Sequence, residues 1–361
     1  MTKKLSKNKD YNISNIKNIW QTKLEFWYKS NKRDLPWRKK ENQDFYNIWI
    51  SEVMLQQTGV KTVIPYFLKF KRKWPDWNSF LDATFDEILF LWQGLGYYQR
   101  AKNIYKTLQI LKKNKKFIFT HDELLKLPGI GKYSAASISA ILKNENNAVV
   151  DGNIKRIISR AFNIDVNKKD FIQIIDKIAQ DLTPFKGNNL YCQSLMDLGA
   201  MICKPSNPKC IICPIKSICS FDFNKKKART EKKKINKFGI VFYVKHKNLI
   251  YLEKTSDRFL HGTVIFPFSD FFISDNQNNS QTKKKIIETW MFKTFKVKDY
   301  KLLGYIKHNF TNFNLKLYII KVILNNKKVI RPNGMWLNEN IGFDNYPFSI
   351  LMKKVIKKVN E

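Results

Sequence analysis

Between Ile16 and Phe221 apolar residues return at intervals of three and four, as in Ile48, Trp49, Val53 and Leu55 or Ile138, Ile141 and Leu142. That period puts one stripe of each segment on a core and predicts helix throughout. Two capping boxes mark helix starts, Thr84 with Glu87 and Thr120 with Glu123, each Glu able to reach back to the cap's own N–H. Further along the period changes to two. Ile240, Phe242 and Val244 alternate with Val241, Tyr243 and Lys245, and Leu249 to Glu253 and Leu315 to Leu324 follow as strand candidates. Helical spacing returns at 283–295 and 350–359. The expected architecture is multidomain: an all-α domain over 16–221, then a smaller α+β domain over 238–361. Residues 1–15 read as a basic flexible N-terminus and 222–237, with too few apolar side chains to pack, as a basic linker. The polar run Asp275 to Thr282 reads as a loop. There is no internal repeat.

Charge narrows the partner. In 361 residues, 66 Lys and Arg stand against 30 Asp and Glu, a net charge of +36 carried mostly by Lys. A field of that sign favours a polyanion, because neutralising phosphates releases their counterions, although part of it reads as solvated surface. The basic N-terminus precedes no apolar signal core, and no apolar run approaches the roughly 20 residues of a membrane span. A soluble cytoplasmic protein without a membrane partner is expected.

Four of the five cysteines crowd into 203–219, as Cys203, Cys210, Cys213 and Cys219, with Pro205, Pro208 and Pro214 holding the chain in a non-helical loop. So few cysteines so tightly grouped point to a metal centre rather than a disulfide scaffold. A structural zinc favours two close C-x2-C knuckles. This run has one, and wide spacings within one loop suit the larger cube of a [4Fe–4S] cluster. Cys192 lies apart and reads as a packed core residue.

Leu127-Pro-Gly-Ile-Gly-Lys-Tyr-Ser134 ends one short helix and opens another. Gly129 and Gly131 permit a tight hairpin over 121–142 whose N–H groups, beside Lys132, face outward and bind phosphate without reading sequence. An ordinary inter-helix turn has the same punctuation. Twenty residues past Gly131, Asp151-Gly-Asn153 places a carboxylate at a helix start. Glu52 sits among apolar and amide neighbours in Ile48-Trp-Ile-Ser-Glu-Val-Met-Leu-Gln-Gln-Thr58. Burial raises a carboxyl's proton affinity, which suits a general acid at neutral pH. Spacing alone also allows Glu52 to pair with a Lys and Asp151 to serve only as a cap.

Taken together, these residues resemble the MutY-type adenine DNA glycosylases of the endonuclease III, or helix-hairpin-helix, superfamily. The likeness runs from Leu35 to Cys219 through Leu35-Pro-Trp-Arg38, Ser51 to Thr58, Gly94-Leu-Gly-Tyr-Tyr98, Leu127 to Gly131, Val150 to Asn153, Met196-Asp-Leu-Gly-Ala200 and the cysteine loop. The resemblance implies excision of adenine mispaired with 8-oxoguanine or guanine in double-stranded DNA, by a nucleoid-associated monomer that flips the base from the duplex. It makes Glu52 the acid that protonates adenine and Asp151 the stabiliser of the cationic sugar, with Trp37, Arg38, Tyr133 and Asn153 about the adenine pocket. Gln57 and Tyr97 match residues that wedge into the base stack, with Gln56 and Thr58 beside them at the DNA. Lys204 and Lys209 match basic positions of the cluster loop. Where the strand-cleaving branch has a nucleophilic Lys, this chain has Tyr133, so an intact backbone and an abasic site are expected; Lys132, turned by about 100°, points elsewhere.

More loosely, the C-terminal domain resembles the family's Nudix-like lesion-recognition module, through Phe259 to Gly262, Ile265-Phe-Pro267 and Gly334-Met-Trp336. Glu288 alone cannot supply the acidic magnesium helix of a Nudix hydrolase. Where the family carries Phe-Ser-His this chain has Phe310-Thr311-Asn312, a departure that bears on lesion discrimination. Two other readings are an endonuclease III-like glycosylase/lyase, opposed by Tyr133 and the second domain, and a non-catalytic iron–sulfur DNA-binding protein, opposed by the two carboxylates.

Overall fold

The computed structural model describes residues 13–114, 116–222, 234–255, 260, 262–274, 280–295, 299–327, 333–339, 343 and 346–361. The N-terminal residues 1–12, most of the expected linker and 275–279 of the polar run lie outside them. The chain divides into two compact units, Met1–Leu81 with Lys106–Lys227, and Asp82–Tyr105 with Ala228–Glu361.

The helical segment runs α1 (Ile13–Asn31), α2 (Phe45–Leu55), α3 (Val60–Lys73), α4 (Trp77–Leu81), α5 (Phe85–Leu91), α6 (Gln99–Lys113), α7 (His121–Leu125), α8 (Lys132–Lys143), α9 (Gly152–Ala161), α10 (Phe171–Leu182) and α11 (Asn188–Met201). Most bury one stripe. In α9 this is Ile154, Ile157, Ile158 and Ala161, and in α10 Ile175, Ile178, Ala179 and Leu182, packed with Trp20 and Leu24 of α1 and Leu195 and Leu198 of α11. Helix α2 is buried on every side from Phe45 to Met54, the mark of a central helix. It starts at Asp44, whose Oδ1 accepts from the Asn47 N–H at 2.9 Å. Glu52 is carried into the interior by that helix.

The box at Thr84 forms in both directions. The one expected at Thr120 does not: Thr120 precedes α7, but its hydroxyl makes no cap bond and Glu123 is held by Lys126 instead. Glu145 takes over by accepting from the His121 N–H at 3.1 Å.

The second unit is built on one mixed sheet of β1 (Ile235–His246), β2 (Leu249–Lys254), β3 (Val264–Ile265), β4 (Phe272–Ile273), β5 (Lys301–Asn309), β6 (Phe313–Ile323) and β7 (Gly334–Asn338), with α12 (Ser280–Phe295) and α13 (Ile350–Val359). The order is β3-β2-β1-β6-β5, with β4 on β1 and β7 on β2. β1 and β6 run parallel, from Ile235 with Phe313 to Lys245 with Ile323, while the other pairings are antiparallel. The sheet therefore begins at Ile235, inside the stretch read as linker, because β6 supplies backbone partners there. α12 covers one face. Trp290 lies flat on Phe242 at 3.7 Å, and Ile287 and Met291 pack against Ile240, Val244 and Ile320.

Helix α5 and the loop after it join this unit. Lys254 pairs with Asp86 at 2.8 Å, and the Gln93 amide donates to the Tyr346 carbonyl at 3.1 Å. Gly262, at φ +79°, lies so near Phe85 and Leu89 that a Cβ would meet them at 3.0 Å. No helix among the described residues is long and apolar enough to cross a membrane.

Candidate active site and cysteine loop

In the first unit a cleft of about 270 Å³ opens between α2, the turn Pro36–Arg38, and the N-terminal ends of α8 and α9. Glu52 and Asp151 both line it, as do Trp37, Arg38, Thr58, Tyr133 and Asn153. Glu52 is 5% exposed, and its Oε2 makes no hydrogen bond. Burial pushes its carboxyl up to about 7; the hydroxyls of Ser137 and Tyr133 and the charge of Arg38 pull the other way, and Asp151 adds to the rise.

Asp151 is the N-cap of α9. Its Oδ1 accepts from the Ile154 N–H at 2.7 Å and its Oδ2 from the Asn153 amide at 2.9 Å. Asn153 is fixed in turn. Its Oδ1 accepts from Arg156 at 2.9 Å, and a Cβ built on Gly199 would stand 2.7 Å from the Asn153 Cβ. Gly199 is thus the hollow into which Asn153 fits. The phenol of Tyr133 is raised well above its ordinary range by burial and by both carboxylates, so it keeps its proton at neutral pH.

Arg38 makes a two-pronged pair with the fully buried Asp197, at 2.8 and 2.9 Å, and Arg33 joins through Nε at 2.7 Å. Two guanidiniums on one carboxylate hold the cleft wall rigid. Trp37 is buried edge-on to Phe67, centroids 5.5 Å apart.

The hairpin joins α7 to α8. Gly129 takes φ +80° and Gly131 caps α8 without a side-chain acceptor, which leaves first-turn N–H groups for a ligand. Gln56 donates to the Gly129 carbonyl and to Ser134 Oγ, each at 3.2 Å, tying the end of α2 to the hairpin. Lys132 is exposed and outside the cleft. Gln57 is exposed with φ +56°, and Tyr97, in the second unit, is 42% exposed with φ +50°. Left-handed backbone in residues other than Gly costs of order 1 kcal/mol or more and clusters at binding and catalytic sites. In that second unit the Tyr97 hydroxyl stands 2.6 Å from Thr311 Oγ1. Phe310, Thr311 and Asn312 form the turn between β5 and β6, with the Phe310 ring against His308 and Phe313.

Cys203, Cys210, Cys213 and Cys219 line one small pocket walled by Ile157, Ile202, Ile215 and Phe221. Arg160 donates to Cys203 Sγ at 3.4 Å and stacks on Phe221. Among the described residues no three His, Cys, Asp or Glu side chains stand close enough to hold a single metal ion. A donor set spread around one apolar pocket, with a cation on one sulfur, suits a larger thiolate-bound group. Lys204 and Lys209 are exposed on this loop.

Sequence reasoning missed the partners. Asp197 carried the same signal as Glu52, a lone acid in an apolar helical stretch, and should have asked for a cation. Arg156, which also donates to the Cys203 carbonyl at 2.8 Å, carried none.

Residues 50–180 match the family described as HhH-GPD superfamily base excision DNA repair protein. The chain is 38% identical to the adenine DNA glycosylase of Buchnera aphidicola subsp. Baizongia pistaciae, covering 95% of this chain and 97% of that one. It is 36% identical to that of subsp. Schizaphis graminum, covering 86% and 90%. Among solved structures it is similar to a thermostable thymine-DNA glycosylase, 26% identical with a TM-score of 0.52, over 58% of this chain and 98% of that one. With full-length relatives of one name and the helix-hairpin-helix fold around two carboxylates, this chain belongs to the adenine DNA glycosylase family of base excision DNA repair.

Proposed function

We propose that this enzyme hydrolyses the N-glycosidic bond of adenine mispaired with 8-oxoguanine or guanine and leaves an abasic site in an unbroken strand. The observation that carries the reading is the pair of unlike carboxyls in one cleft: Glu52, buried and pushed up to about 7, and Asp151, held in two hydrogen bonds at a helix start. Glu52 is poised to donate a proton to the flipped adenine. The base then leaves neutral, and the carboxylate of Asp151 faces the cation developing on the sugar. Water completes the exchange, as in glycoside hydrolysis. Arg38, fixed by Asp197, shapes the wall against the base.

Tyr133 at the cleft supports the monofunctional reading, since a protonated phenol forms no Schiff base and Lys132 lies outside the cleft. Gln57 and Tyr97 are the proposed wedges into the stack, the hairpin with Lys132 and the loop with Lys204 and Lys209 the phosphate contacts. The α+β unit is the Nudix-like lesion reader through Phe310, Thr311 and Asn312. Its α12 shows Glu288 opposite Lys284 at 3.9 Å, which does not favour a magnesium site. The four cysteines would hold a [4Fe–4S] cluster, which supplies structure and no chemical step. The protein is proposed to act as a monomer at the nucleoid.

The test is a single-turnover reaction on a labelled duplex with adenine opposite 8-oxoguanine, read with and without hot alkali. Scission only after alkali is expected. Scission without alkali would move the chain to the lyase branch, and none under either condition, with DNA bound, would leave a binding protein.

A further inference from the structure

The sheet of the second unit carries a ladder of cross-strand pairs that leads away from the Phe310-Thr311-Asn312 turn. Asn309 faces Asn314, Lys307 faces Lys316 and Tyr305 faces Tyr318. On β1, Asn236 is the partner of Asn314 and Phe238 of Lys316. Because side chains alternate along a strand, these amide, lysine and tyrosine rungs share one side of the sheet, roughly 7 Å apart. It is the side that α12 covers farther along, where Trp290 lies on Phe242. Lys307, Asn309 and Tyr305 are exposed, and Lys316 and Asn314 half-buried.

The lysine rung is the unusual one. Like charges directly opposite each other destabilise a sheet, yet β1, β5 and β6 contain no Asp or Glu. Among the described residues neither lysine makes an ion pair. Lys316 is instead laid against aromatic faces, its Nζ 4.0 Å from the Tyr305 centroid and 5.2 Å from that of Tyr318. Two more cations flank the turn, Lys237 over Phe313 at 4.9 Å and Lys234 on the Phe310 carbonyl at 2.8 Å. Cations held beside aromatic rings, next to exposed amides and the exposed Tyr305, are the groups with which proteins grip a nucleic-acid strand: charge for phosphate, amide for sugar and phosphate oxygens.

We propose that this side of the β5–β6 hairpin is a nucleic-acid contact, with Lys307 and Lys316 straddling phosphates of the DNA strand whose base lies at the 310–312 turn. The direction of the strand rests on the reading of that turn as a lesion reader; the phosphate contact does not. It makes the second unit a sequence-independent grip as well as a reader of one base.

The test uses the full-length protein carrying Lys307→Gln with Lys316→Gln. Binding to a labelled duplex with adenine opposite 8-oxoguanine, and to the same duplex fully paired, is followed by anisotropy across a salt series. Each phosphate contact contributes roughly 0.9 to the slope of log K against log salt, so the variant should lose about 1 to 2 from the slope and about tenfold in affinity on both duplexes. Lys316→Arg with Lys307→Arg should restore both. An unaltered slope and affinity would overturn the proposal, as would a loss confined to the lesion duplex, which would mean base contact. A fall in melting temperature with slope and affinity unchanged would assign the lysines to the fold instead, through the contacts of Lys316 with Tyr305 and Tyr318. A wild-type protein that binds but excises nothing would sink the catalytic reading and leave the slope comparison intact.

Discussion

With Glu52 as the proposed acid, activity and stability answer to the same proton. A carboxyl raised from 4.5 to about 7 on folding binds more protons in the native state than in the unfolded one. Its contribution to stability therefore falls as pH climbs between those values, by up to about 3 kcal/mol, and levels off above. Urea melts at a series of pH values should show that slope in the wild type and lose most of it in Glu52→Gln. The same substitution should abolish excision, and wild-type single-turnover rates should decline above about pH 7 as the acid loses its proton. Asp151→Asn separates charge from structure in another way. Asn caps a helix as well as Asp, so the bond from the Ile154 N–H should survive and only the one from the Asn153 amide be lost, at about 1 kcal/mol, while excision falls by at least about a hundredfold. A variant with wild-type rates would remove Asp151 from the chemistry.

At the scale of elements, the site depends on how α11 backs α9. Ala in place of a helical Gly ordinarily stabilises by about 1 kcal/mol. At Gly199 the sign should reverse. The new Cβ would meet Asn153 at 2.7 Å and displace the amide that holds Asp151, at about 1 to 3 kcal/mol and with slower excision. Thermal melts and single-turnover rates on Gly199→Ala check both. How legible all this was in sequence follows from range. Helical stripes, the Thr84 cap and the Asp151 cap rest on neighbours within a turn, and the periodicity displayed them. Asp197 bridging to Arg33 and Arg38 and Gly199 receiving Asn153 are meetings of distant segments. They appear in sequence only as an unexplained acid and an unexplained glycine within one motif. β5 escaped because Lys301, Lys307 and Asn309 face outward and blur its alternation, and the assignment of α5 to the sheet's unit because its contacts lie about 170 residues away.

Across the whole molecule, the cysteine loop and the charge set conditions on function. Protein purified intact should show the broad visible absorption of the proposed iron–sulfur cluster, and Cys213→Ser should lose it together with thermal stability, because one of the four thiolates proposed to hold the cluster is then gone. A colourless wild type containing one equivalent of zinc would replace the cluster. The parallel pairing of β1 with β6 governs how such a chain comes off the ribosome. The partners begin 78 positions apart. At ordinary elongation rates β1 waits on the order of ten seconds for β6. Throughout that wait Ile240, Phe242 and Val244 have no strand beside them on that edge, and a bare apolar strand invites pairing with other chains. Translation arrested ahead of Phe313 should therefore release a product that pellets unless a chaperone holds it, so that the strand following the Phe310-Thr311-Asn312 turn is also the one that ends the nascent chain's exposure.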